Sequence, residues 1–308
     1  MTAESTRPIL VTGAHRSGTT WTGRMLALAP RVAYLHEPFN LQHRPGFCGA
    51  RFPFWFTCLT DENGPRYHDD LARTLSYRYR FGRELQALRG PKDIARMGRD
   101  GLRFAVLRMG RKRPLMKDPI AIFSTPWLAR TFGMAVVIMV RHPLAFTASL
   151  KQSGWSHPFS HFLRQPLLMD GLLQGFRTRI EEAAEREMEI VDQAILLWNI
   201  VHHVIMIWQR EHPEWLIVRH EDLATDPQSE FARLYDRLDL PFTPRIRKRI
   251  LRFSNPDNRS DARRTLDVRR DSGSILTGWR ERLTGEEIER IRKGTGEISR
   301  AFYSGTGW

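Results

Sequence analysis

Five short runs of apolar, mostly β-branched residues punctuate the chain, at residues 9–12, 32–35, 115–117, 135–140 and 215–218. Runs this short, apolar on both alternating faces, predict strands buried on both sides of a sheet. Between them the apolar positions recur at helical spacing. Residues 17–29 place Trp21, Met25 and Leu28 on one face and stop at Pro30. Residues 68–110 are helical in pattern and rich in arginine, 124–132 form a short helix, and Pro143 opens another that runs to Gln152. Residues 181–210 predict one long helix, wet in its first half and apolar in its second. Helices at 227–239, 243–253 and 286–302 complete the pattern. Strands alternating with helices predict an α/β fold of three αβα layers around a central, roughly five-stranded parallel sheet. Without an internal repeat or a low-complexity linker, residues 1–308 are expected to form one domain. Two aperiodic stretches rich in aromatics interrupt it. Residues 41–66 are expected to be an ordered loop over one end of the sheet, and 154–178 a lid.

Composition changes this picture in one respect. Hydrophobic residues at 41% and charged residues at 27% are those of a folded chain, but 48 basic against 34 acidic residues give a formal charge of +14. Such an excess favours an anionic ligand, an anionic polymer or a membrane surface. No basic region interleaved with aromatics has the form of a nucleic-acid motif, so nucleic acid is not the expected partner. The first eight residues lack an apolar signal core and no run reaches 18 apolar residues, which predicts a soluble, cytoplasmic protein. Cys48 and Cys58 fit neither a disulfide framework nor a zinc pattern and are read as reduced bystanders.

The chemistry concentrates after the first strand. Gly13-Ala14-His15-Arg16-Ser17-Gly18-Thr19-Thr20-Trp21 has the G-x-x-x-x-G spacing of a phosphate-binding loop at a helix N-terminus, where backbone N–H groups and the helix dipole cradle an anion. A nucleotide triphosphatase needs lysine after the second glycine; here it is Thr19, and Arg16 puts the cation inside the loop. Such an enzyme also needs an aspartate at the end of a later strand to hold Mg²⁺. The clearest later strand ends in Arg141, which repels a metal and attracts a second anion. Ser149, two helical turns on, lies within its reach. The competing reading makes Arg141 half of a structural ion pair and Ser149 a helix-surface hydroxyl.

These two segments resemble the donor-binding elements of the PAPS-dependent sulfotransferases of the bacterial and carbohydrate type. Residues 13–21 are similar to the 5′-phosphosulfate loop, and residues 137–150 to the 3′-phosphate element. Glu37-Pro38-Phe39, Lys117-Asp118-Pro119 and Arg219-His220-Glu221-Asp222-Leu223, followed by Asp226-Pro227, also resemble family segments, so the likeness spans roughly residues 8–280. It implies a P-loop-containing fold and transfer of a sulfuryl group from PAPS to a hydroxyl acceptor, with no metal required. Under it, His15, Arg16, Ser17, Gly18, Thr19 and Thr20 hold the 5′-phosphosulfate, and Arg141 and Ser149 hold the 3′-phosphate. Arg269 and Arg270 are the candidates for a basic C-terminal loop, although the Arg-Lys-Gly run of cytosolic members is missing.

Transfer also needs a base for the acceptor's proton. Glu37 is the first candidate, its alternative being an ion pair with an arginine such as Arg24. His36 is the rival, although strand alternation turns it to the opposite face. Lys117 is placed to donate to the bridging oxygen or to pair with Asp118. His202 and His203 point about 100° apart on a helix and cannot chelate one ion; Trp198, Ile205 and Trp208 have core spacing. Phe54, Trp55 and Phe56 offer aromatic faces to an acceptor, expected to be a small molecule or glycan, with peripheral membrane association if it is lipid-linked. Two other classes remain open on the residues alone: a Mg-ATP-dependent kinase or nucleotide triphosphatase, and a non-catalytic polyanion-binding protein.

Overall fold

In the computed structural model, which describes residues 7–254 and 276–303, each apolar run forms a strand. They are β1 (Ile9–Gly13), β2 (Val32–His36), β3 (Arg113–Lys117), β4 (Ala135–Val140) and β5 (Leu216–Arg219). All neighbours pair in parallel, in the order β2-β3-β1-β4-β5. Alternate residues feed two cores. Leu10, Leu35, Met116 and Ile138 face one side, and Ile9, Val11, Leu115 and Val137 face the other. This double burial is why the runs are apolar at consecutive positions.

Helices cover both faces. In chain order they are α1 (Thr19–Leu26), α2 (Pro65–Leu75), α3 (Phe81–Leu85), α4 (Pro91–Met109), α5 (Thr125–Phe132), α6 (Pro143–Ser153), α7 (Ser160–Leu163) and α8 (Pro166–Asp170). Then come α9 (Arg177–Glu185), α10 (Ile190–Glu211), α11 (His220–Thr225), α12 (Pro227–Arg237), α13 (Pro244–Phe253) and α14 (Gly285–Ser299). Two expected helices are divided. Residues 68–110 break before α3 and again at Gly90, after which Pro91 starts α4 in the first-turn position that suits it. Residues 181–210 break between α9 and α10, where Arg186 turns extended at φ −122° and ψ 146°. The charged run there has no apolar stripe to bury, so only the second half is carried into the core.

That second half, α10, packs against α6 and α14. Among the described residues it alone is long and apolar enough to cross a bilayer, yet 61% of its apolar window is buried inside the fold. The two aromatic stretches pack on one another. Cys58 N–H donates to Gln165 Oε1 at 2.8 Å and Trp55 N–H to His161 Nδ1 at 3.0 Å. Residues 154–178 send Phe159, Phe162, Leu168 and Phe176 into the main core. Both cysteines are free and buried.

Strand order reverses between β1 and β4, because the chain leaves β1 for the β2 edge, returns through β3, and only then forms β4. Ligands of open parallel sheets sit at this reversal, beyond the carboxyl ends of the strands. Gly13 ends β1 there with φ +135°, and a Cβ on it would lie 2.3 Å from the Met139 carbonyl oxygen. Gly13→Val should therefore cost roughly 3 kcal/mol or more of stability, read as a fall in the urea midpoint at constant m-value. An unchanged midpoint would contradict this packing.

Candidate active site

The turn after β1 closes with Ser17 N–H donating to the Ala14 carbonyl at 3.2 Å, and α1 begins at Thr19. Gly18 sits at φ +84°, and a Cβ there would lie 2.4 Å from the His220 ring. Arg16 adopts a left-handed φ of 63° although it carries a side chain, and so does Glu37, at 49°. Two side-chain-bearing residues in that region, both on the wall of one cavity, are strain held by the surrounding fold.

The cavity, about 290 Å³, lies beyond the carboxyl ends of β1 and β4. His15, Arg16, Gly18, Thr19 and Thr20 form its loop side, and Arg141 comes from the end of β4. Glu37, Asn40, Trp55 and Trp155 supply the rest of the polar and aromatic wall. Arg16 Nε donates to Ser149 Oγ at 2.9 Å, and Arg141 Nη1 donates to the Arg16 carbonyl. The two segments that looked related in sequence are thus hydrogen-bonded to each other. Trp198 Nε1 donates to the Arg141 carbonyl at 2.9 Å, fixing the arginine's backbone to α10. Ser149 is not a surface hydroxyl: it is only 4% exposed. Ser17 lies beneath the loop, fully buried, and its hydroxyl has no hydrogen-bond partner among the described residues. The buried ring nitrogens of His15 likewise have none. Buried polar groups normally find partners, so these orphans fit a loop that closes around an anion.

Glu37 projects from the turn after β2. Its N–H donates to the Lys117 carbonyl at 2.8 Å, and its carboxylate pairs with the fully buried Lys117 ammonium. Asn40 Nδ2 donates to the second carboxylate oxygen at 2.9 Å. The glutamate's partner is therefore Lys117 and not Arg24, whose guanidinium lies over the Tyr34 ring at 4.4 Å. Burial alone would push the Glu37 carboxyl up, but Lys117, His36 and Asn40 outweigh it and hold it below the usual carboxylate range. Asp118, the fully buried next residue in the chain, goes the opposite way. Burial and the charge of Glu37 push it well up, while Phe39 N–H donates to it at 2.6 Å. The ammonium of Lys117 thus favours the ionised form of Glu37, while burial and the neighbouring charge of Glu37 push Asp118 toward its neutral form.

His36 ends β2 and lines a different cavity, where its Nδ1 lies 3.2 Å from the Tyr34 hydroxyl, but alternation does not separate it from the glutamate: its Nε2 is 4.0 Å from Glu37 Oε2. Burial and Lys117 lower its pKa to about 4, so its ring is neutral. His15 is held at about 3 by burial and Arg16, with its ring 4.0 Å from that of Trp155.

Residues 8–244 match the family model described as "Sulfotransferase family". The chain belongs to the sulfotransferase family. Among solved structures it is similar to the sulfotransferase domain of the curacin biosynthetic pathway, at 16% identity over 94% of this chain and 97% of that one, with a TM-score of 0.46. It is also similar to the sulfotransferase domain of the Synechococcus PCC 7002 olefin synthase, at 17% identity over 97% and 96%, with a TM-score of 0.48. For the sulfotransferase STF1 of Mycobacterium tuberculosis H37Rv the values are 17%, 94% and 76%, with a TM-score of 0.45. No match was found among curated proteins.

Asn40 has no role in the sequence reading; it follows Glu37 by three residues, and proximity is its only signal. Asp118 and Glu221 stand in segments that resemble the family, but the groups they contact do not show in the sequence. Glu221 accepts from His142 N–H at 2.9 Å and from the Tyr303 hydroxyl at 2.9 Å, which pins the start of α6 beside Arg141. Arg282, from the C-terminal region, adds a positive charge felt at Arg16. Nothing local in the sequence marks it. Arg269 and Arg270 lie outside the described residues.

Proposed function

We propose that this sulfotransferase moves the sulfuryl group of PAPS to a hydroxyl of a carbohydrate or glycoconjugate, without a metal ion. The hydrogen-bonded group Arg16–Ser149–Arg141 at the strand-order reversal is the observation that carries this reading. It places two guanidinium groups and a helix N-terminus around one cavity, and an arginine where a metal-holding carboxylate would otherwise stand. PAPS offers two separate anionic groups to such a pair.

Arg16 and the loop N–H groups hold the 5′-phosphosulfate; Arg141 and Ser149 take the 3′-phosphate. The acceptor oxygen bonds to sulfur as the bond from sulfur to the 5′-phosphate oxygen breaks, and that electron pair stays on the phosphate. Arg16 stabilises the growing charge there. Glu37 receives the acceptor's proton, and Lys117 keeps Glu37 ionised and oriented. The products are a sulfate ester, 3′-phosphoadenosine 5′-phosphate and one proton. Trp55 and Trp155 give the aromatic faces on which sugar rings stack, which supports a carbohydrate acceptor.

Calorimetry without magnesium should show tight binding of 3′-phosphoadenosine 5′-phosphate. Arg141→Ala should weaken it about 10–100-fold, the value of charge-assisted hydrogen bonds to one phosphate. Affinity equal to that for AMP would overturn the donor assignment. A panel of sugar, phenol and lipid alcohols, assayed for sulfate transfer, tests the acceptor; turnover confined to phenols would overturn the carbohydrate reading.

A further inference from the structure

Helix α4 has a face that the fold does not use. Ile94, Leu102, Val106 and Met109 are exposed by 56%, 67%, 55% and 81%. At 3.6 residues per turn they fall within about a third of the helix circumference. Of the eight exposed large hydrophobic side chains among the described residues, six lie in α3 and α4. Phe81 of α3 leans on Gly101, where a Cβ would lie 2.2 Å from its ring, so the two helices present their apolar residues side by side. A contiguous patch of this kind marks an interaction surface.

Its surroundings carry one sign of charge. Residues 89–112 hold eight basic side chains against two acidic ones. Both acids, Asp93 and Asp100, sit on the inward half of α4, beside Arg96 and Arg99. Arg99 and Arg103 flank one side of the apolar stripe and Arg108 the other. Between α4, β2 and the stretch after β2 lies a cavity of about 370 Å³, lined by Arg24, Arg44, Arg99 and Arg103, with Asp100 the one acid in its wall. An exposed apolar helix face bordered by arginines, with an arginine-lined cavity beside it, matches an interface of acyl chains below and phosphates above. A second copy of the chain fits poorly, because a two-fold contact would set this positive face against itself.

We propose that the outward face of α4 docks this protein on anionic lipid bilayers, with Leu102, Val106 and Met109 entering at headgroup depth and the flanking arginines meeting lipid phosphates. The surface is separate from the cavity that holds Arg16 and Arg141, so it stands independently of the reaction.

Co-sedimentation of the full chain with vesicles tests it. The protein should pellet with phosphatidylcholine vesicles containing phosphatidylglycerol and remain in solution with phosphatidylcholine alone, and added salt should weaken the binding. Leu102→Asp combined with Met109→Asp should lower the bound fraction about tenfold or more, while leaving the circular dichroism spectrum and thermal midpoint unchanged, since both side chains point outward. Arg103→Glu, tested separately, should lower it as well. Wild-type protein left in the supernatant with phosphatidylglycerol present would overturn the proposal, as would equal binding by the double variant. Light scattering supplies a third outcome: a wild-type dimer that the double variant converts to monomer would assign the face to a second copy instead.

Discussion

Glu37→Gln is expected to lower kcat about 10²–10⁴-fold, the range that a positioned general base contributes. Binding of 3′-phosphoadenosine 5′-phosphate should be unchanged, because Arg16, Arg141 and Ser149 are untouched. The substitution is nearly isosteric, and the amide oxygen still accepts from Lys117 or Asn40, so the wall keeps its shape. What disappears is the one ionised carboxylate on it. Asp118 cannot replace it: that carboxyl is fully buried, is pushed toward its neutral form, and is tied to Phe39 N–H. His36 has its Nε2 4.0 Å from Glu37 Oε2 but lines the arginine-lined cavity and not this one. Single-turnover sulfate transfer with a saturating donor separates the chemical step from binding. Turnover equal to wild type would remove Glu37 from the proton transfer and leave Lys117 as the group on that side of the cavity.

Much of this arrangement is legible in the sequence. Strands buried on both faces write themselves as unbroken apolar runs, and all five were found to within two residues at either end. The loop after β1 was legible because glycine spacing reports backbone geometry: Gly13 and Gly18 occupy positive φ where a side chain would strike Met139 or His220. Arg141 could be read because it follows the clearest strand at once. Contacts between distant segments were not legible. That Glu37 pairs with Lys117, 80 residues away, depends on β2 lying beside β3; the sequence alone offers Arg24 as a partner for Glu37 and Asp118 as a partner for Lys117. The divided helices were missed for a related reason: helical spacing continues through a charged run, but only burial decides whether that run stays helical. Residues 68–110 show in the sequence as helical and arginine-rich, but the exposed apolar side of α4 does not, since periodicity shows which residues share a face and not which way the face points.

Acidification should unfold the protein as its buried histidines are driven to take up protons. His15 and His202 are buried, and burial holds the folded pKa of each at about 3, against roughly 6.5 for an unfolded histidine. Between those values the unfolded chain takes up protons that the folded chain refuses, so stability falls as pH falls. Each histidine contributes about 1.4 kcal/mol per pH unit across that window. From pH 6.5 to 4.5 the pair together remove about 5 kcal/mol, comparable with the whole stability of many domains. His142, lowered to about 4 by burial and the charges of Arg292 and Arg141, acts in the same direction. Circular dichroism at constant ionic strength should therefore show an unfolding midpoint above pH 4. The side chain of His202 stacks on Trp198 with ring centres 3.9 Å apart, and its Nδ1 lies 2.8 Å from the Trp198 carbonyl. His202→Phe keeps the stacking and removes the proton site, so it should move the midpoint to lower pH even where it costs stability at pH 8. His203→Phe, one residue along the helix and only partly buried, should move it less. Equal shifts for the two variants would mean that burial of the His202 ring is not what limits the fold in acid. The proposed donor site links this to the active site: with 3′-phosphoadenosine 5′-phosphate held by the folded loop alone, as proposed, saturating ligand should lower the midpoint of wild type and of His202→Phe alike.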